Sequence, residues 1–252
     1  YRCFMLELEI LMETLFGLDG DQSHAKLVVI PVPWDATTSY GKGTAKAPSR
    51  VLTASQQQDL ADPEIVDLPK PGIRMLPVPG EILELSRTAL KPPAEMNRSS
   101  DRVNQWVYQQ ARALLQADKI VAVLGGEHSV PYGALRALGE RESSFGILHF
   151  DAHHDLRVAY QGYHHSHASI FYNVCQDIPS MTKLVQVGIR DFSTEEADFA
   201  RSSQGRIRVF YDRELDDLRE GGMAWRTLAP KIVAALPERV WVSLDFDGLD
   251  PT

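Results

Sequence analysis

Short apolar runs alternate along this chain with longer segments whose apolar residues recur every three or four positions. Lys26–Val32 (KLVVIPV), Ile120–Leu124, Phe145–Phe150, Lys183–Val187, Ile207–Tyr211 and Arg239–Leu244 are the apolar runs. Runs of that length, bounded by turn-forming residues, predict buried strands. Between them, residues 47–58, Asp101–Lys119, Val130–Leu138 and Ala224–Leu236 predict helices. In Asp101–Lys119 the residues Val103, Trp106, Val107, Ala111 and Leu114 share one face, with Asp101 as N-cap. Ser193-Thr194-Glu195-Glu196 has the spacing of a capping box and opens a further helix. Residues 60–98 are rich in proline and predict an irregular surface excursion. Near the start, Leu6, Ile10, Leu11, Leu15 and Leu18 have helical spacing, so residues 1–24 predict an amphipathic helical extension.

Strands that alternate with helices imply an α/β fold, its mainly parallel sheet covered by helices on both faces. The 252 residues suffice for one large catalytic domain, and the pattern does not change type along the chain. A net charge of −8 disfavours nucleic acid or an anionic membrane as partner, since both call for a basic face. No stretch reaches the ~18–20 apolar residues of a membrane span. Glu7, Glu9 and Glu13 interrupt the apolar start, so it does not resemble a secretory leader. The only cysteines, Cys3 and Cys175, are far apart, which suits a cytoplasmic location better than a disulfide framework.

Three polar motifs follow three of the apolar runs. His128 sits in Gly125-Gly126-Glu127-His128-Ser129. Asp151, His153 and Asp155 close FGILHFDAHHD. Asp245 and Asp247 follow the last run in DFDGLDP. Residues at i, i+2 and i+4 point to one side if the chain stays extended. In parallel sheets ligands gather at the carboxyl ends of the strands, so the three segments can converge. Carboxylates brought together repel unless a cation neutralises them. Two histidines and four aspartates exceed the needs of one ion and suit two divalent ions, among them manganese, nickel, iron or zinc. Paired ions activate water for hydrolysis.

GGEHS, DAHHD and SLDFDGLDP resemble the three signature segments of the ureohydrolases, the family of arginase, agmatinase and formimidoylglutamase. VPWDATTSYGKGTAKAPSR and VQVGIR also look like family segments, so the resemblance covers at least residues 27–252. It implies a three-layer α/β/α sandwich around a parallel sheet and a binuclear centre, manganese first and nickel as the alternative. It implies His128, Asp151, Asp155 and Asp245 on one ion, and His153, Asp151, Asp245 and Asp247 on the other. Asp151 and Asp245 would bridge, and Asp155 would orient a metal-bridging hydroxide. SHASIF sits where agmatinases have a similar histidine segment, so His167 is expected to shuttle protons. The implied reaction cleaves a C–N bond of a small guanidino compound and releases urea. Agmatine, converted to putrescine, is the expected substrate. Guanidine, a guanidino acid, arginine and formimidoylglutamate are the alternatives, as is a metal-binding member without activity. A homo-oligomer, trimer or hexamer, is also implied. The family continues past the third motif, so a C-terminal part with a substrate-binding glutamate is expected beyond Thr252.

The remaining residues carry plainer expectations. His149 is a hydrogen-bonded core histidine. His154 points away from the ligands. Glu127 hydrogen-bonds and does not coordinate. Gly125-Gly126 permits a close backbone approach. Arg157 pairs with a surface carboxylate.

Overall fold

The computed structural model describes residues 15–17, 24–61, 64, 72–87 and 92–249. The chain divides into two compact units, residues 1–137 and 138–252. Apart from Leu15–Gly17, a single 3₁₀ turn, and His24, the expected N-terminal helix lies outside the described residues.

In the first unit, β1 (Ala25–Val32) lies between β2 (Gly72–Met75) and β3 (Ile120–Gly125), and all three are parallel. Val28, Val29, Ile30 and Val32 are all buried. A central parallel strand with both faces covered reads as such a continuous apolar run. α1 (Ala47–Ser55) covers one face, where Leu52 joins Val29, Met75, Leu27, Ile73 and Leu124. α3 (Pro93–Gln116) buries Val103, Val107, Ala111 and Leu114 and lies along β1 and β3.

Two expectations here are corrected. The long helix begins at Pro93, not at Asp101, and Pro92 is its N-cap. A proline in the first turn gives up a donor that would be unsatisfied there anyway. The added turns bury Met96, Ser99 and Ser100, whose hydroxyls bond back to Glu95 and Met96 carbonyls. That polar-looking stripe hid the helix. The proline-rich excursion also contains regular structure, namely β2 and α2 (Gly80–Arg87).

In the second unit the order is β6 (Ile207–Tyr211), β5 (Met181–Ile189), β4 (Phe145–Phe150), β7 (Val240–Leu244), again all parallel. The helices are α4 (Tyr132–Arg141, which begins in the first unit), α5 (Ile170–Asp177), α6 (Thr194–Ser202), α7 (Asp212–Glu220) and α8 (Trp225–Val233). The capping box at Ser193 and Glu196 forms as its spacing predicts. On one face Leu148, Phe150, Val185, Val187 and Phe210 pack with Leu215 of α7 and Ile232 of α8. By alternation Ile147, His149, Leu184 and Gln186 occupy the other face. His149 stands directly opposite Gln186 on one side and Ser243 on the other. Phe171 of α5 lies against His149, ring centroids 4.2 Å apart. The parallel α/β class expected from the alternation is what the chain forms. Among the described residues no helix is long and apolar enough to cross a membrane.

Candidate metal centre

The site in the second unit is built on the carboxyl end of β4. Asp151 is the first residue past the strand and is 1% exposed. Both of its carboxylate oxygens are held. Oδ2 is 2.8 Å from His149 Nε2, and Oδ1 accepts the His153 backbone N–H at 2.6 Å. Two glycines let neighbouring chain approach its backbone. Gly188, at φ +91°, comes up from β5, where an added Cβ would lie 3.2 Å from the Asp151 carbonyl oxygen. A Cβ on Gly248, in the turn after β7, would lie 3.0 Å from both Cα and N of Asp151.

The chain does not stay extended after Asp151. His153 makes a single bridge to Asp191, and Asp155 takes φ +55°, in the left-handed region. Aspartate tolerates this better than most residues. The bend turns Leu156 toward Glu196, whose carboxylate accepts its N–H at 3.1 Å. Donor atoms of His149, Asp151 and Asp155 then lie within 4.8 Å of one another. A second group, Asp151, His153 and Asp247, meets the same limit. Asp151 belongs to both.

The second group is more open. His153 Nδ1 is 3.4 Å from Asp151 Oδ1 and 3.1 Å from Asp247 Oδ2, and its Nε2 is 3.6 Å from Asp191 Oδ2. Hydrogen bonds to Asp151 and Asp247 push its pKa up to about 11, although partial burial opposes this. The carboxylates therefore hold a proton on the ring, a positive charge where they converge. A donor set that recruits a charge in this way fits a divalent cation, which would replace that proton.

Asp245 opens the turn after β7. Its Oδ1 accepts the Asp247 N–H at 3.1 Å, and neither donor group includes it. His167 lies in the 3₁₀ turn His167–Ser169, edge-on to Tyr160 at 5.9 Å, and is likewise in neither group.

His128 belongs to the first unit, buried just past β3. The backbone there is fixed by contact with the loop after β1. Glu127 N donates to the Trp34 carbonyl at 2.8 Å, and a Cβ on Gly126 would lie 1.9 Å from that oxygen. The Glu127 carboxylate accepts from Thr37 N (2.7 Å), Thr37 Oγ1 (2.5 Å) and Ser129 Oγ (2.7 Å). Burial pushes its carboxyl pKa up against those bonds. Glu127 is thus occupied in tying loops together, as its neighbourhood suggested.

Two contributors carry no metal-ligand signature in the sequence. Arg190, in VQVGIR, donates to the carbonyls of Asp247 (2.7 Å), Gly248 (3.3 Å) and Leu249 (3.2 Å), and so holds the turn that bears Asp247. Gln186 is a fully buried amide between Val185 and Val187 in β5. That polar interruption was the available signal. Arg157 pairs with Glu196 at 3.4 Å, a carboxylate that is buried, not on the surface.

Aspartates and a histidine converging past the carboxyl ends of parallel strands form a donor set that could hold metal ions. The model of the Arginase family matches residues 25–252. The N(1)-aminopropylagmatine ureohydrolase of Thermus thermophilus is 32% identical over 242 residues, 96% of this chain and 74% of that protein. The agmatinase of Bacillus cereus is 29% identical, over 90% of this chain and 70% of its own length. The agmatine ureohydrolase structure of Thermoplasma volcanium shares the fold at TM-score 0.73 and 24% identity, over 97% of this chain and 75% of that one. The chain belongs to the arginase family and is a ureohydrolase-family enzyme.

Proposed function

We propose that this chain hydrolyses a guanidino compound that lacks a carboxylate, agmatine first, and releases urea. The observation that carries this reading is the sharing of Asp151 between two donor groups. A cation in each group would be bridged by one carboxylate. In the proposal His128, Asp151, Asp155 and Asp245 would hold one ion, and His153, Asp151, Asp245 and Asp247 would hold the other. Two divalent ions there, manganese or nickel, would supply the means of lowering the pKa of a water molecule toward neutrality. Asp155, beside Asp151, accepts a hydrogen bond from the attacking water and fixes its lone pair toward the guanidinium carbon. His167, outside the donor groups, passes a proton to the departing amine, which leaves poorly as an anion.

Names of similar proteins favour this substrate class. The N(1)-aminopropylagmatine ureohydrolase relative makes the aminopropyl derivative of agmatine the second reading. Urea release should be measured with agmatine, N(1)-aminopropylagmatine, arginine, guanidine and guanidino acids, and formamide release with formimidoylglutamate. Turnover of the first two well above the rest supports the proposal, and preference for arginine or formimidoylglutamate overturns it. His167→Ala should lower kcat by ~10²–10⁴-fold with both ions retained, and loss of metal would make His167 a ligand. A cytoplasmic homo-oligomer, trimer or hexamer, is part of the same proposal. Light scattering on the purified protein tests the assembly.

A further inference from the structure

Four buried side chains form one hydrogen-bonded row behind the site: Asp151, His149, Gln186 and His154. All four are 0–1% exposed. Their donors and acceptors can be assigned from a single atom, the backbone carbonyl oxygen of His154, which can only accept. It lies 2.8 Å from the terminal amide nitrogen of Gln186. That places the Gln186 Oε1 toward His154 Nδ1, 2.7 Å away, so His154 must carry its proton on Nδ1. Its other nitrogen, Nε2, is buried with no hydrogen-bond partner among the described residues, as suits an unprotonated atom. The ring is wedged edge-on against Phe192 (5.0 Å) and Tyr211 (5.8 Å).

The same Gln186 nitrogen lies 3.0 Å from His149 Nδ1. An N–H pointed at that atom leaves Nδ1 as acceptor, so the His149 proton sits on Nε2. Nε2 then donates to Asp151 Oδ2. Every bond runs the same way, from His154 to Gln186 to His149 to the carboxylate.

We propose that Gln186 locks His149 in its Nε2–H tautomer, making His149 a positioning residue for Asp151 and not a metal ligand. A ring nitrogen of His149 lies within 4.8 Å of donor oxygens of Asp151 and Asp155, which by distance alone would admit it to the first donor group. A nitrogen that carries a proton has no lone pair to give, and the Gln186 amide occupies the other nitrogen. The bond from His149 holds one Asp151 oxygen and the His153 amide holds the other. The carboxylate plane is thereby fixed before any cation arrives. Groups that orient a metal-binding carboxylate in this way typically change affinity ~10–100-fold when lost. This role for His149 rests on the reading of Asp151 as a ligand, whereas the tautomer itself does not.

The test uses the whole protein with ¹⁵N-labelled histidine. In the metal-free protein, the His149 imidazole should show a protonated Nε2 and a bare, acceptor-type Nδ1. A proton on Nδ1 overturns the lock. After loading with ¹¹³Cd²⁺, His149 should show no nitrogen–cadmium coupling. Coupling at His149 makes it a ligand and ends the proposal. Gln186→Met should weaken manganese binding by ~10–100-fold, with kcat recovered at saturating manganese. Unchanged affinity in that variant would remove the positioning role. If cadmium and manganese do not bind at all, the metal reading fails, and the metal-free spectrum still decides the lock.

Discussion

The two halves of the donor cluster in the second unit are built differently. The inner half, Asp151 with His149 and Asp155, stands where β4 ends between two parallel neighbours, and is 0–5% exposed. The outer half is open: the His153 side chain is 44% exposed and that of Asp247 47%. Inside, neighbouring groups engage both Asp151 carboxylate oxygens and both His149 ring nitrogens, so little there can rearrange. Outside, water competes for every contact, and the pair is held by charge and by the Arg190 grip on its turn. The inner half should therefore set whether cations bind, and the outer half how tightly the second is held.

Replacing one carboxylate in each half gives the largest expected contrast. Asp151 is common to both donor groups, so Asp151→Asn should leave no ion bound after loading with manganese and desalting. An amide can accept from only one of the two donors that Asp151 now satisfies, and burial keeps water from serving the other. Asp247→Asn should retain one ion, because water can replace what its exposed amide no longer accepts. Metal analysis of the two variants checks this. Equal metal content in both would erase the distinction between the halves.

Gly248→Ala tests the contact through which the outer turn rests on the inner strand. The added methyl would sit 3.0 Å from the Asp151 backbone, and both sides are backbone that cannot turn aside. Overpacking of this kind costs ~1–3 kcal/mol. Thermal unfolding of the metal-free variant should show that loss, together with weaker manganese binding. At Gly41 an added methyl meets nothing within 4 Å, and Gly41→Ala should change neither quantity appreciably.

How much of this was visible in the sequence follows the same division. The strands and donor segments announce themselves because a fully buried parallel strand must be apolar and ends abruptly where ligands begin. The amphipathic run of α3 was clear from Val103 onward, while its first two turns were masked by serines that bond to their own helix. α5 and α7 were missed. α7 exposes almost all of DRELDDLRE and buries only Leu215, too little for a periodic signal. In the site, His153 and Asp247 were recognisable by type and spacing, but the φ of Asp155 and the engagement of Asp245 in capping its own turn depend on local backbone geometry. Gln186 was overlooked because its role exists only across strands, opposite a histidine 37 residues away in sequence.

The smallest effect separates the halves by charge. His153 is ordinarily half-protonated near pH 6.5, and Asp151 and Asp247 raise it to about 11 in the folded, metal-free protein. A raised basic group contributes stability that is fully present below about 6.5 and is lost as the pH rises through about 11. Because the ring is partly exposed, solvent screens this contribution and it should be modest. The proton has a second consequence. A cation can take His153 as ligand only when the ring is neutral, so binding near pH 7 must expel about one proton from it. Calorimetric titration with manganese in buffers of different ionisation enthalpy measures that release. In Asp247→Asn one of the two carboxylates that hold the proton is gone, and the release at pH 7 should fall. Manganese binding to the parent protein with no proton released would place the cations away from His153, leaving the outer carboxylates to serve the turn alone.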